Sequence, residues 1–255
     1  MMPRLERHGD CAVLTLDRPA ALNALSFAII VAIGRLLDEV AASDARVLLV
    51  TGAGPKAFCA GADIKELQGR GLMDQKRGAE LGQAVFAKLD GLPQASVALI
   101  NGFAFGGGLE LAMACTFRLA TPGAKMGLPE IKLGLIPGYG GTQRLPRLVG
   151  PARALDMIMT GRTVTAPEAE RIGLVNRIVE GDLLAAGLDF AAEFSAYGQV
   201  AQHLARQAVA RSLDTPLQEG LRIEADLSTL AFQTADAVEG MAAFAAKRSA
   251  VFKDR

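Results

Sequence analysis

Two glutamates stand beside glycine-rich turns in an otherwise aliphatic stretch of the chain. Glu110 follows Gly106, Gly107 and Gly108 and lies in the first turn of a strong helix-forming run, Leu109 to Ala114. The start of a helix carries unpaired backbone N–H groups and the positive end of its dipole, so the glycine turn is a natural seat for an anionic oxygen. Glu130 follows Gly127, Leu128 and Pro129 between apolar stretches. Two carboxylates beside such a seat suit acid–base chemistry next to a carbonyl. Each also has a plainer reading: Glu110 as a capping acid matched to the dipole, and Glu130 as a solvated loop acid near a helix start. Spacing alone does not bring them together.

Other chemistries find less support. The turns at Gly106–Gly108 and Gly52–Gly54 lack the third glycine of a dinucleotide-binding GxGxxG, and no GxxxxGK is present. The 2 histidines, His8 and His203, have no partner at metal-ligand spacing, so no protein metal site is expected. The 3 cysteines, Cys11, Cys59 and Cys115, lie far apart and read as buried small hydrophobes in a reducing compartment. Lys plus Arg and Asp plus Glu each number 27, with no basic stripe, which argues against nucleic acid as a partner. The amino-terminal residues have no apolar signal region, and no stretch reaches the length of a spanning helix; a cytoplasmic protein with no membrane partner is expected.

The elements that must position the glutamates read as α/β. Leu5 to His8 and Cys11 to Leu16 flank a Gly9-Asp10 turn and predict a strand pair. Apolar residues from Ile29 to Val40 recur at helical spacing, with Ser26 as the N-cap. Val47 to Val50 and Ser96 to Ile100 are short and continuously apolar, as buried parallel strands are, with a helix from about Asp74 to Leu89 between them. Strand, helix, strand implies right-handed crossovers. Beyond Gly150 the pattern turns helical: Pro151 to Thr160, a helix opened by Thr165 to Glu168, a last strand at Val175 to Val179, then four Ala/Leu-rich amphipathic stretches between Asp182 and Ala246. A helical tail that does not cover its own apolar face often packs on a neighbouring subunit. His203 reads as a surface helical residue.

Five segments resemble the enoyl-CoA hydratase/isomerase (crotonase) superfamily: LDRPAALNAL at 16–25, KAFCAGADIKE at 56–66, NGFAFGGGLELA at 101–112, LPEIKLGLIPGYGGTQRL at 128–145, and EGMAAF at 239–244 followed by KR at 247–248. They span nearly the whole chain in order. The resemblance implies a crotonase-like spiral of ββα units over 1–195 and a C-terminal helical oligomerisation region over 196–255, forming a homotrimer or homohexamer. It implies an enoyl-CoA hydratase that adds water across the 2,3 double bond of an acyl-CoA substrate and needs no cofactor, coenzyme A being part of the substrate. The backbone N–H groups of Ala62 and Gly107 would form the oxyanion hole. Glu110 would activate water and Glu130 would protonate C2, with Gly138 lining the water site. Lys56, Ala60, Asp63, Ile64 and Lys65 match the segment that cradles the coenzyme. Phe244, Lys247 and Arg248 would approach the phosphates, from a neighbouring subunit in one arrangement; the plainer reading of such basic residues is a solvated helix end. Tyr139 departs from the smaller residue that many hydratases have, which puts the acyl substrate in question more than the reaction. The rival readings are a Δ3-Δ2 isomerase using one glutamate and a non-catalytic, RNA-associated family member; the two glutamates and the balanced charge speak against them.

Overall fold

The structure is a computed structural model and describes residues 1–254. It opens with the hairpin of β1 (Arg4–His8) and β2 (Cys11–Leu16), closed where Gly9 takes a positive φ of 56°. Helix α1 (Phe27–Ala41) starts at Ser26, whose Oγ accepts the Ile29 N–H at 3.2 Å as an N-cap should. There follow β3 (Val47–Gly52), β4 (Ala57–Cys59), α2 (Ile64–Leu67), α3 (Leu72–Gly91), β5 (Ala95–Ile100), β6 (Phe103–Phe105), α4 (Gly107–Ala114), β7 (Phe117–Ala120) and β8 (Lys125–Gly127). A 3-10 turn over Pro129–Leu133 leads to α5 (Gly141–Val149), α6 (Pro151–Thr160), β9 (Val164–Thr165), α7 (Ala166–Arg171) and β10 (Arg177–Ile178). The remainder is helical: α8 (Leu183–Ser195), α9 (Gln199–Arg211), α10 (Leu217–Phe232) and α11 (Ala235–Ala245).

The large sheet has the order β1-β2-β3-β5-β7-β10, parallel except for the first hairpin, and the small sheet runs β4-β6-β8-β9. Continuously apolar strands are buried on both faces because the pleat sends alternate side chains to opposite sides. Leu14, Leu48, Val50, Ala98 and Ile100 join the core shared with α1, α3 and α4. Val13, Leu49, Val97 and Leu99 face the other way, into a second cluster with Leu183, Phe190 and Ala191 of α8.

Two expectations needed adjustment. The last strand pairs only over Arg177 and Ile178, because the buried Val175 gives its N–H to the Ala169 carbonyl of α7 and not to the sheet. His203 is not a simple surface residue. It is half-buried, its Nδ1 lies 3.2 Å from the Leu92 carbonyl, and the neighbouring Arg206 donates to the carbonyls of Leu92, Pro93 and Gln94. The pair docks α9 onto the turn between α3 and β5.

Candidate active site

The small sheet brings two chain turns face to face. After β6, Gly106 adopts φ 51° and ψ −126°, a conformation that side-chain-bearing residues rarely reach. A Cβ on Gly108 would fall 2.1 Å from the Cys59 carbonyl, so only glycine lets the start of α4 lie this close to the end of β4. Beside it runs the turn after β4. There the Leu25 N–H donates to the Gly61 carbonyl and the Asp63 N–H to the Leu25 carbonyl, both at 2.8 Å. This single parallel bridge engages the residues on either side of Ala62 and leaves the Ala62 N–H pointing away from Leu25. A Cβ on Gly61 would lie 3.5 Å from the Gly107 nitrogen, which places the two turns in contact. Among the described residues neither the Ala62 nor the Gly107 N–H meets an acceptor. Two free amides on adjoining turns, one opening a helix, can hold an oxygen that carries negative charge.

Glu110 lies one turn into α4 and is 1% exposed. Its Oε1 accepts the Tyr139 N–H at 2.8 Å and the Gly141 N–H at 2.7 Å, so it fixes the loop that leads into α5. Burial pushes its carboxyl up to about 7; the Gly141 amide opposes that, the charge of Glu130 adds to it, and the Tyr139 amide and Arg144 oppose it. Arg144 is in turn clamped by both carboxylate oxygens of Asp90, at 2.9 and 2.5 Å, tying α5 to the end of α3.

Glu130 sits in the 3-10 turn, half-buried, and burial raises its carboxyl too. A Cβ on Gly106 would be 2.9 Å from its Oε1, while its buried Oε2 has no partner. Both glutamates therefore border the same helix start, but their surroundings differ. Glu110 receives two N–H donors, which favour a carboxylate. The bare Oε2 of Glu130 suits a protonated acid, with one proton to donate. With a single proton on the pair, the two N–H donors favour the charge on Glu110, while its deeper burial works against it.

The remaining expected residues are more scattered. The Ala60 N–H is used by the Leu22 carbonyl. Asp63 caps α2 through the Lys65 N–H and pairs with Arg18 at 2.8 Å, so its carboxylate shapes the turn that presents Ala62. Ile64 and Lys65 are exposed beside it. Lys56 lies at the other end of β4, in a cleft of about 610 Å³ shared with Asn101, Phe103 and Thr121. The Gly138 carbonyl accepts from Gln83 across the loop at 2.9 Å.

Phe244 and Lys247 are not brought to this place within one protomer. The Asp236 carboxylate at the start of α11 accepts the Lys253 and Asp254 N–H groups, and Asp254 pairs with Arg46, just before β3. That anchors the helix near the amino end of β3, whereas the two facing turns follow the carboxyl ends of β4 and β6. Phe244 is 88% exposed, and Arg248 is held by both oxygens of Glu239.

Residues not singled out from sequence also build the site. Buried Asn23 donates to the carbonyls of Ala53 and Ala57, and Asn101 to those of Gly52 and Gly54, stitching the loops around β4. Their only signal was membership of the segments at 16–25 and 101–112. Among the described residues no group of three His, Cys, Asp or Glu is placed to hold a metal ion. No helix among them is long and apolar enough to cross a membrane.

Comparison with known proteins identifies the family. The family model for enoyl-CoA hydratase/isomerase matches residues 6–255. The chain belongs to that family. It is 43% identical to a crotonyl-CoA hydratase of Syntrophomonas wolfei over 250 residues, 97% of this chain and 96% of the relative. It is 40% identical to a short-chain-enoyl-CoA hydratase of Clostridium acetobutylicum, covering 98% and 97% of the two chains. The crystal structure of an enoyl-CoA hydratase from Bacillus anthracis superposes with a TM-score of 0.94 at 36% identity, covering 99% of each chain. The fold is the crotonase fold with C-terminal helices.

Proposed function

We propose that the protein is an enoyl-CoA hydratase that adds water across the 2,3 double bond of a short 2-enoyl-CoA thioester, giving the 3-hydroxyacyl-CoA. The observation that carries the reading is the pair of unlike glutamates bordering two unpartnered backbone amides. The thioester oxygen takes the Ala62 and Gly107 N–H groups. Ionised Glu110 accepts a proton from water as the water oxygen bonds to C3. The π electrons of the double bond move toward the thioester oxygen, where the two amides stabilise the charge, each typically by about 2.7–4 kcal/mol. Glu130 then gives its proton to C2 as the carbonyl re-forms. Oxygen and two hydrogens have been added, and one proton remains on the glutamate pair. The reaction draws on no metal or redox cofactor.

In this reading Lys56, Ile64 and Lys65 border the coenzyme, and Phe244 and Lys247 reach it from a neighbouring protomer. The homologous hydratases, one named for crotonyl-CoA and one for short chains, support the substrate class. The exposed apolar residues of the helical arm formed by α9 and α10, among them Val209, Leu217, Leu221, Leu230 and Phe232, support a trimer or hexamer in which they are covered. Cytoplasmic residence fits three free, buried thiols.

The test is loss of the conjugated enoyl absorbance when crotonyl-CoA is mixed with purified protein, with Glu110→Gln and Glu130→Gln variants alongside. Gln keeps the shape but exchanges no proton, so each variant is expected to lose roughly 10²–10⁴-fold in turnover. The double variant should fall little below the worse single one, because the two groups act on one addition. A folded wild type without activity, or a single variant within a few-fold of it, defeats the assignment.

A further inference from the structure

We infer that the Tyr139 ring is the stop that sets the length of acyl chain the site accepts; this rests on the hydratase reading for where the thioester lies. Tyr139 is 7% exposed although it belongs to the loop before α5. Its backbone N–H is fixed on Glu110, so the ring has a defined starting point beside the reacting carbons. From there the ring passes over Gly107, where a Cβ would fall 3.0 Å from Cδ2 and 3.3 Å from Leu25 Cδ1. Its opposite edge fills a notch in α3 made by Gly82, whose Cβ would lie only 2.3 Å from Cδ1. Phe86, one helical turn further on, meets the ring edge-to-face with centroids 5.8 Å apart.

The space between α3 and α4 behind Gly107 is thus occupied by the phenol ring and by no side chain from Gly82. With the thioester oxygen on the Ala62 and Gly107 amides and C3 beside Glu110, carbons beyond C3 run toward Tyr139 and Leu25. The ring is braced along both edges, by Gly107 on one and Gly82 on the other, with Phe86 against it. A longer chain must displace it, and doing so loses the Gly82 and Phe86 contacts. The hydroxyl makes no hydrogen bond among the described residues, so bulk and not polarity is what the position supplies.

The experiment compares kcat/KM for crotonyl-, hexenoyl- and decenoyl-CoA in the wild type and in Tyr139→Phe, Tyr139→Leu and Tyr139→Ala, each checked for native circular dichroism. One methylene of fit in an apolar pocket is worth roughly 10–200-fold. The decenoyl-to-crotonyl ratio should therefore rise at least about tenfold in the Ala variant and by less in Leu, and stay at the wild-type value in Phe. If Ala does not fold, the Leu variant carries the comparison. A ratio unchanged in both, a Phe variant behaving like Ala, or a wild type that takes decenoyl-CoA as readily as crotonyl-CoA overturns the inference. A wild type inactive on every chain length strikes the hydratase reading instead, so the two failures are distinct.

Discussion

Replacing Glu110 by Gln removes a charge that the folded protein must bury. Burial raises this carboxyl from an ordinary value of 4.5 to about 7 in the native state. Between those values the folded chain holds a proton that the unfolded chain has released, so wild-type stability falls as pH rises through the window and levels off above it. At about 1.36 kcal/mol per unit, the loss is roughly 3 kcal/mol by pH 8. Gln has no such window. Its amide oxygen still accepts the Tyr139 and Gly141 N–H groups that Oε1 now holds. Glu110→Gln is therefore expected to match the wild type near pH 4.5 and to exceed it by up to about 3 kcal/mol at pH 8. Urea unfolding followed by circular dichroism, at pH 5 and 8 and equal protomer concentration, reads the difference. An advantage that is absent at pH 8, or equal at both pH values, refutes the claim that folding pays to ionise this group.

The same burial shapes activity. The glutamate pair works with one proton aboard, and both carboxyls are raised, so the acid limb of kcat/KM should lie above the ordinary value of 4.5; a limb at or below it counts against the pair as the acid–base machinery. The helical arm should assemble: light scattering at micromolar concentration is expected to give three or six protomers, and a stable monomer would contradict the covered-arm reading.

The helices and long strands were legible because their physics is local. Ser26 caps α1, Pro151 opens α6, and the apolar runs at 47 and 96 are strands, each from signals within a few residues. The three-residue strands β4, β6 and β8 gave no periodic signal of their own, since so short a run has no measurable alternation. Of these, β4 and β6 carry the two turns that meet at the site and were reached only through the segments at 56–66 and 101–112, while β8 lies outside every such segment. The unlike environments of the glutamates were equally hidden. Glu110 takes its donors from Tyr139 and Gly141, some thirty residues onward, and no local pattern announces such a contact. The direction of the Tyr139 ring depends on Gly82 in another helix, and the position of α11 depends on a pairing between Arg46 and Asp254.

The division of the large sheet into two apolar clusters has a consequence for engineering. Along β3, Leu48 and Val50 belong to the core shared with the helices that carry the glutamate and the Tyr139 notch, while Leu49 between them belongs to the cluster under α8. Neighbours in sequence thus answer to different partners, and residues two apart answer to the same one. Repacking Leu49, Val97 and Leu99 with Phe190 and Ala191 would change robustness from behind, with the sheet as a partition between that work and the chemistry.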